Sequence, residues 1–492
     1  MAMRASNYII HVPLSKDTTI LLQSYTGAYD QVSVDVAKYV NSLSVSRSKP
    51  LYGDWSPEPL TNVEVVTPSP ATIELLKKRG YLTEMTPEEE EAFFVKMATK
   101  LHQLQSRLMP EYILILDYNC NLRCSYCFQD HMRTNPVFSH LLQTMQPETI
   151  DRILATMPKI ERSHGVSEDA DLTRPITFFG GEPLTAENYS IIKYTIQKTK
   201  ALGKAEFSAV TNGTQLEYYQ DLLGPEMISE LQITLDGPSH EHDKRRIHAD
   251  GSGSFDQIAK NITTALDLEV QVNVRMNIDR NNITHLPELA DEIIARGWNS
   301  YEGFSAYTAP VTATNSKTDH KTTFNSFQLN QALDKMRQHH SQLEVIKRPN
   351  DPLITRIQRI FKEQASPGTN FKASFCGAHN KMYIFDPFGD IYACWEKTGD
   401  KKIRIGHIAE NGAVVLNEEL NQTWRNRTVI SNPVCRKCPY AFYCGGGCAI
   451  LAMNQNGSLN TNYCDGFANR FKASVAEAYQ ELVANTNVLP SP

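Results

Sequence analysis

The alternation of apolar and polar positions changes character twice along the chain. In the first hundred residues, YIIHVPL (8–14) and TTILLQSYT (18–26) are rich in β-branched and aromatic residues and are separated by a short polar turn, the pattern of paired strands. VSVDVAKYVNSL (32–43) and SPATIELLKKRGYL (69–82) carry apolar residues at helical spacing, the second with Ser69 as a cap before Pro70 and Gly80 as a stop. PEEEEAFFVKMATKLHQLQSRL (87–108) predicts a long amphipathic connector helix.

From residue 110 the pattern becomes a regular exchange of short β-rich runs and helical stretches. EYILILDY (111–118), PITFFGG (175–181), AEFSAVTNG (205–213), LQITLDG (231–237), EVQVNVRMNI (269–278) and SYEGFSAY (300–307) predict six strands. Residues 186–202, 255–268 and 285–296 predict helices between them. This order predicts a parallel sheet, open or closed into a partial barrel, with functional groups at the carboxyl ends of its strands. Residues 308–325 read as a loop and 327–346 as a helix. From about 350 to 470, turns and aromatics dominate, and the shape is expected to be set by metal rather than by a large core. The expected organisation is three domains, 1–105, 106–345 and 346–492.

Composition narrows the function classes. With 41% hydrophobic and 21% charged residues in 492, the chain can build real cores. A net charge of −6 without a basic block argues against nucleic acid as the main partner. The N-terminus lacks a signal-peptide run and no stretch of about 18 apolar residues occurs, so no membrane span is expected. The expected compartment is a reducing cytoplasm, where clustered cysteines are more often metal ligands or catalysts than disulfides. The ten cysteines fall into a group of three (Cys120, Cys124, Cys127) and a group of seven (Cys376, Cys394, Cys435, Cys438, Cys444, Cys448, Cys464). Both groups are odd, so neither could pair off internally.

The first group has the spacing Cys-x3-Cys-x2-Cys directly after the first predicted barrel strand. Three thiolates on one tight loop can hold three corners of a cubic iron–sulfur cluster and leave the fourth iron open; a three-cysteine zinc site would use the same donors. Later strands end in Gly180-Gly181-Glu182-Pro183, in Thr211-Asn212-Gly213 and in Thr234-Leu235-Asp236-Gly237-Pro238, the last followed by His242-Asp243 and Arg245-Arg246. In this order, over about 110–310, the set resembles the radical S-adenosylmethionine (radical SAM) superfamily. The resemblance implies an α/β fold, a partial (β/α)6 TIM-like barrel. It also implies a [4Fe–4S] cluster on Cys120, Cys124 and Cys127 whose open iron is chelated by SAM. Gly180, Gly181, Glu182 and Pro183 would face the methionine part, with Glu182 accepting from its ammonium. Thr211, Asn212 and Thr234 suit the ribose and carboxylate, and Asp236 belongs to the same motif as Thr234. Arg246 is a candidate carboxylate partner, with Arg245 beside it also open. Tyr126 and Phe128 lie where the family packs near the adenine; ordinary core packing is the alternative. The implied chemistry is one-electron cleavage of SAM to methionine and a 5′-deoxyadenosyl radical that abstracts hydrogen, with the protein supplying orientation and water exclusion.

The second group runs Cys376, Gly389-x4-Cys394, Cys435-x2-Cys438-x5-Cys444-x3-Cys448 and Cys464, which resembles the SPASM domain of peptide-modifying radical SAM enzymes. That resemblance implies two auxiliary iron–sulfur clusters, expected as [4Fe–4S]. One would be held by Cys435, Cys438, Cys444 and Cys464, the other by Cys376, Cys394 and Cys448 and so one ligand short. His379 could complete the second or could simply face solvent from a loop. Taken alone, the Cys-x2-Cys pair would also suit zinc. The front domain, strands followed by amphipathic helices, resembles a winged-helix-like leader-peptide recognition domain that takes an extended peptide on a sheet edge; a packing domain without a ligand is the alternative. Together these resemblances imply a RiPP maturase of oxidoreductase type that forms a carbon–carbon or thioether cross-link in a leader-bearing precursor peptide. Its electrons would come from a flavodoxin or ferredoxin. A formylglycine or quinone-cofactor maturase is the second enzymatic reading, and a metal-stabilised, non-catalytic binding protein the third. Anaerobic sulfatase-maturating enzymes carry an acid directly after the cysteine matching Cys394. Here Trp395 stands there and Glu396 follows, leaving Asp386, Asp390 and Glu396 as candidate catalytic acids or as solvated turn charges.

Overall fold

The computed structural model describes residues 3–44, 65–167, 171–312, 315, 317–363 and 370–486; three residues of the expected 308–325 loop, 313, 314 and 316, lie outside them. The chain divides into two compact units: residues 1–106, 350–380 and 425–492 form one, and residues 107–349 and 381–424 the other.

In the first unit, β1 (Arg4–Ala5), β2 (Ile9–Pro13), β3 (Thr18–Gln23), β4 (Tyr29–Ser33) and β5 (Leu82–Thr83) are accompanied by helices Val34–Ser42, Pro70–Lys78 and Pro87–Gln105. The β2–β3–β4 sheet is antiparallel, with Ile10 opposite Leu22 and Thr19 opposite Val32. Ser69 accepts from the Thr72 amide with Pro70 in the first turn, as its sequence predicts. β4 was not expected, because its half-exposed residues Tyr-Asp-Gln-Val-Ser hold too little apolar alternation to signal a strand.

The expectation that metal rather than a core shapes residues 350–470 is overturned. Phe371, Phe442, Tyr443 and Phe471 are buried in one apolar cluster with Tyr8 and Phe94. The rings of Tyr8 and Phe94 stack at 4.6 Å, those of Phe94 and Phe442 lie 4.5 Å apart and those of Tyr443 and Phe471 4.4 Å. The aromatics flanking the late cysteines therefore close a core.

In the second unit, β6 (Glu111–Ile115), β7 (Arg174–Phe179), β8 (Ala205–Thr211), β9 (Ile228–Thr234), β10 (Gln271–Ile278) and β11 (Phe304–Pro310) are the six predicted strands. They pair in parallel in chain order, with helices Tyr189–Ala201, Phe255–Asp267 and Leu286–Ala295 among the connections, as in a partial (β/α)6 barrel. Beyond β6 the sheet continues through β12 (Met382–Phe385), β13 (Asp390–Tyr392), β14 (Gly406–Ile408) and β15 (Val414–Leu416). β12 lies parallel to β6, with Ile384 opposite Ile113, and the last three strands run antiparallel. A signal for this hairpin existed: the apolar run MYIF precedes the turn Asp386-Pro-Phe-Gly389, where Gly389 takes φ +77°.

Candidate active site

The loop after β6 carries the first three cysteines and is stitched in place by backbone. Arg123 N donates to Ile247 O at 2.8 Å, Ser125 N to Arg245 O at 3.1 Å and Ala249 N to Asn121 O at 3.0 Å. N–H groups point at the sulfurs: Leu122 N lies 3.4 Å from Cys120 Sγ, Asn212 Nδ2 3.9 Å from the same atom, and Arg133 Nη2 3.0 Å from Cys127 Sγ. Burial pushes the Cys120 thiol up to about 12, with Arg133 opposing, and raises Cys124, with Arg246 opposing. Buried thiols of this kind ionise when a metal supplies the positive charge, and the N–H donors then stabilise the thiolates. Three thiols on one loop, with N–H donors at two of the sulfurs, are a donor set that fits a cluster.

The Gly180-Gly181-Glu182 turn at the end of β7 is clamped to this loop: Gly181 N donates to Asp117 O at 3.0 Å and Glu182 N to Asn119 O at 2.8 Å. A Cβ at Gly181 would fall 1.9 Å from Asn119 O, and one at Gly180, where φ is +141°, 2.3 Å from Asp117 O. The close approach these glycines permit is thus to the chain's own backbone beside Cys120. The buried Glu182 accepts from Thr211 Oγ1 at 2.5 Å, Leu184 N at 2.9 Å and Asn212 N at 2.5 Å. Burial outweighs these donors and raises its carboxyl to about 7, as expected of an acid awaiting a cation. Asn212 Nδ2 donates to Asn121 Oδ1 at 2.8 Å, so the end of β8 is tied to the cysteine loop.

A third group centres on the Tyr126 hydroxyl. It donates to the fully buried Asp236 and accepts from Arg246 Nη1 at 2.8 Å and Asn277 Nδ2 at 3.1 Å. Asp236 also accepts from Asn277 N at 2.9 Å. Arg245 is engaged by Asp279 at 3.0 Å and Asp236 at 3.6 Å, with its guanidinium 5.3 Å from the Tyr126 ring centre. Arg246 keeps a buried Nε without a hydrogen-bond partner. Arg245 Nε also lacks a hydrogen-bond partner, so the two arginines differ in their ion pairs: Arg245 lies against two carboxylates, whereas Arg246 is bound to the Tyr126 hydroxyl. Behind them His242 Nδ1 accepts from Asp236 N at 3.2 Å. Its Nε2 faces Ser254 Oγ at 3.0 Å, and that hydroxyl donates to Arg246 O at 2.6 Å, so Nε2 carries the proton. Burial drives His242 down to about 3. Pro183, Thr234 and Phe128 join this network through no side-chain hydrogen bond among the described residues.

Sequence reasoning missed Arg133, Asn277 and Asp279. The last two had a signal, since they are polar residues ending a strand like the motifs it used; Arg133 had none, because only the short helix Asp130–Thr134 turns it toward Cys127. The candidate acids divide. Asp386 accepts from the Phe388 and Asp390 amides at 3.0 Å and from Tyr118 Oη at 3.1 Å, and Asp390 pairs with Arg404 at 2.5 Å. Both are buried parts of the β12–β13 turn rather than solvated charges. Glu396 is half-buried and its carboxyl is raised by burial, with Arg275 opposing; beside it, the Trp395 ring lies 5.7 Å from that of Phe179, which ends β7.

Of the late cysteines, Cys394 follows β13 in the second unit and the other six belong to the first. Cys435 has Cys444 and Cys464 as its strongest charged neighbours, Cys438 has Cys435, and Cys376 senses Cys448. Gly445, Gly446 and Gly447 hold φ of +78°, +90° and +75° between Cys444 and Cys448, and a Cβ at Gly447 would meet Tyr463 O at 1.9 Å. A solvent-facing His379 is excluded: it is fully buried and its Nε2 accepts from Arg427 at 3.4 Å.

With this geometry in place, residues 114–293 match the family model described as the radical SAM superfamily. Those residues are a radical SAM domain. The protein is an enzyme, and its domain implies SAM and a [4Fe–4S] cluster. A cysteine-type anaerobic sulfatase-maturating enzyme of Clostridium novyi (strain NT) is 22% identical over 73% of this chain and 93% of its own. The antilisterial bacteriocin subtilosin biosynthesis protein AlbA of Bacillus subtilis (strain 168) is 24% identical over 71% and 69%. Two solved structures share the fold: native anSMEcpe with bound AdoMet (TM-score 0.55, 16% identity, 77% of this chain, 100% of the other) and Streptococcus suis SuiB bound to precursor peptide SuiA (TM-score 0.50, 15%, 94%, 98%). No helix among the described residues is long and apolar enough to cross a membrane.

Proposed function

We propose that this radical SAM enzyme matures a ribosomally made precursor peptide by forming a carbon–carbon or thioether cross-link. The observation that carries the reading is the convergence of Cys120, Cys124 and Cys127 with Glu182 and Arg246 at adjoining strand ends. There the two charged groups suit the ammonium and carboxylate of one amino acid. Relatives named for subtilosin biosynthesis and for mycofactocin maturation, and a like-folded protein solved with its precursor peptide, support a peptide substrate. When bound, SAM and the cluster supply the hydrogen-abstracting radical.

The chain's own residues do the rest. Cys120, Cys124 and Cys127 hold the cluster; Glu182 takes the SAM ammonium, Arg246 its carboxylate, and Asp236, Tyr126 and His242 keep Arg246 in place. A cross-link removes two hydrogens from the peptide, which leave as one hydrogen atom, one proton and one electron. We assign the proton to Glu396, the candidate acid that is half-buried and outside the β12–β13 turn. Cys435, Cys438, Cys444 and Cys464 hold one auxiliary cluster for the electron, and Cys376 and Cys448 serve the other. In residues 1–105 the half-exposed strand β4 at the edge of its sheet offers a leader peptide backbone to pair with.

The test is to incubate the reconstituted enzyme with SAM, a reductant and each short peptide encoded beside its gene. A mass loss of two hydrogens with an intact chain and release of 5′-deoxyadenosine are expected. Glu396→Gln should retain the nucleoside and lose the cross-link. No mass change in any peptide would overturn the reading.

A further inference from the structure

Arg427 is 3% exposed, yet every acceptor it reaches is neutral. Its Nε donates to Leu459 O at 2.5 Å, Nη1 to Gly447 O at 2.9 Å and His379 Nε2 at 3.4 Å, and Nη2 to Thr461 O at 2.9 Å and Gly446 O at 3.4 Å. Among the described residues no carboxylate forms an ion pair with it. A buried guanidinium without counter-charge is costly, and proteins keep one where an anion completes the site. The groups it grips identify the anion. Gly446 and Gly447 immediately precede Cys448, Thr461 lies three residues before Cys464, and His379 three after Cys376. A Cβ on Gly446 would stand 3.9 Å from Cys435 Sγ. Burial lowers the pKa of Arg427, and its opposing charged neighbours are Cys435, Cys448, Cys376 and Cys444, drawn from both auxiliary ligand sets.

Two more cations follow the same pattern. Arg356 donates to Tyr443 O at 2.7 Å and keeps a buried, unpartnered Nε. Lys372 Nζ lies 6.0 Å from the ring centre of Phe375, which immediately precedes Cys376, and the thiols among its charged neighbours are those of Cys444 and Cys376. A four-iron cluster on thiolates is anionic and gains one more negative charge on reduction, so cations held beside it favour the reduced form.

We infer that Arg427 is the shared buried counter-cation of the auxiliary clusters and raises their reduction potentials, so that they accept the electron released as the peptide cross-link closes. This rests on the reading that the late cysteines carry iron–sulfur clusters. The step balances: the substrate radical loses one electron, one auxiliary cluster gains it, and the proton leaves separately. Arg427 acts through the clusters and is a positioning residue.

The test compares the anaerobically reconstituted full chain with Arg427→Lys, Arg427→Met and Lys372→Met. Iron analysis comes first: about twelve irons per chain upholds the cluster reading, and about four would overturn that reading independently. Redox titration followed by electron paramagnetic resonance then reads the potentials. At the wild-type midpoint, Arg427→Met should lower the reduced-to-oxidised ratio of the auxiliary signals at least tenfold, 59 mV for one electron. Arg427→Lys should stay within threefold, and the signal lost on replacing Cys120, Cys124 and Cys127 should not move. If Arg427→Met fails to load iron, Lys372→Met, which grips no cysteine loop, must shift the ratio in the same direction. Full iron with unshifted auxiliary potentials in either methionine variant overturns the inference.

Discussion

Replacing Tyr126 by Phe removes one oxygen and keeps the ring that Arg245 covers, so it isolates the hydroxyl's role in the anion-binding corner. That oxygen is the hydrogen-bond partner of Asp236, Arg246 Nη1 and Asn277 Nδ2, all buried or nearly so. Asp236 keeps the Asn277 amide at 2.9 Å and the Arg245 contact at 3.6 Å, so most of its solvation survives. Arg246 Nη1 and Asn277 Nδ2 each lose an acceptor, and Arg246 already has an orphaned Nε. A buried donor left unsatisfied costs about 1–3 kcal/mol, more when charged. Two such losses, partly relieved if Arg246 re-aims at Asp236, leave about 3 kcal/mol. For a unit of this size that lowers the thermal midpoint by about 6 °C. The assay is thermal unfolding of the SAM-free protein followed by near-ultraviolet circular dichroism, with calorimetric SAM binding to the reconstituted enzyme as the second readout. SAM affinity should fall about tenfold, because Arg246 is no longer held. Phe128→Leu, outside the network, should shift the midpoint less than half as much. A Tyr126→Phe midpoint within 1 °C of wild type together with unchanged SAM affinity would refute the reasoning.

Gly181→Ala should displace the 117–119 turn, because its Cβ would meet the Asn119 carbonyl at 1.9 Å; iron analysis and 5′-deoxyadenosine release should show the first cluster depleted and SAM cleavage largely lost. His242 gives the SAM-free enzyme a defined acid sensitivity. Its folded pKa of about 3 lies below its unfolded value, so the unfolded chain binds the extra proton and stability falls as pH drops below about 6.5. The slope from this residue approaches about 1.4 kcal/mol per pH unit, so about 2 kcal/mol is lost between pH 7 and 5. Denaturant midpoints of His242→Gln should lack that component, and an unchanged acid slope would show that another group carries it.

The six barrel strands and the first cysteine loop were legible in the sequence. Buried parallel strands carry near-continuous apolar runs, and their polar ends stand out against them. The cysteine spacing is equally local, since ligands on one tight loop are set by a few backbone torsions. The Trp395-Glu396 departure could be read directly, and so could the Ser69 cap. What the linear pattern left open was decided by partners far away in the chain. Arg245 and Arg246 are neighbours of the same chemistry, and only the strand order brings Asp279 and Asp236 beside Arg245, which is why Arg246 is the one we propose for an anion. Asp386 and Asp390 looked like surface charges because their burial depends on β12 pairing with β6, some 270 positions earlier. His379 and Arg427, 48 positions apart, meet in the buried interior of the first unit. By itself the sequence determined which atoms could hold iron and where strands would end. Tertiary structure decided which charges are compensated, because compensation depends on distance and burial, and neither is a property of any short stretch of chain.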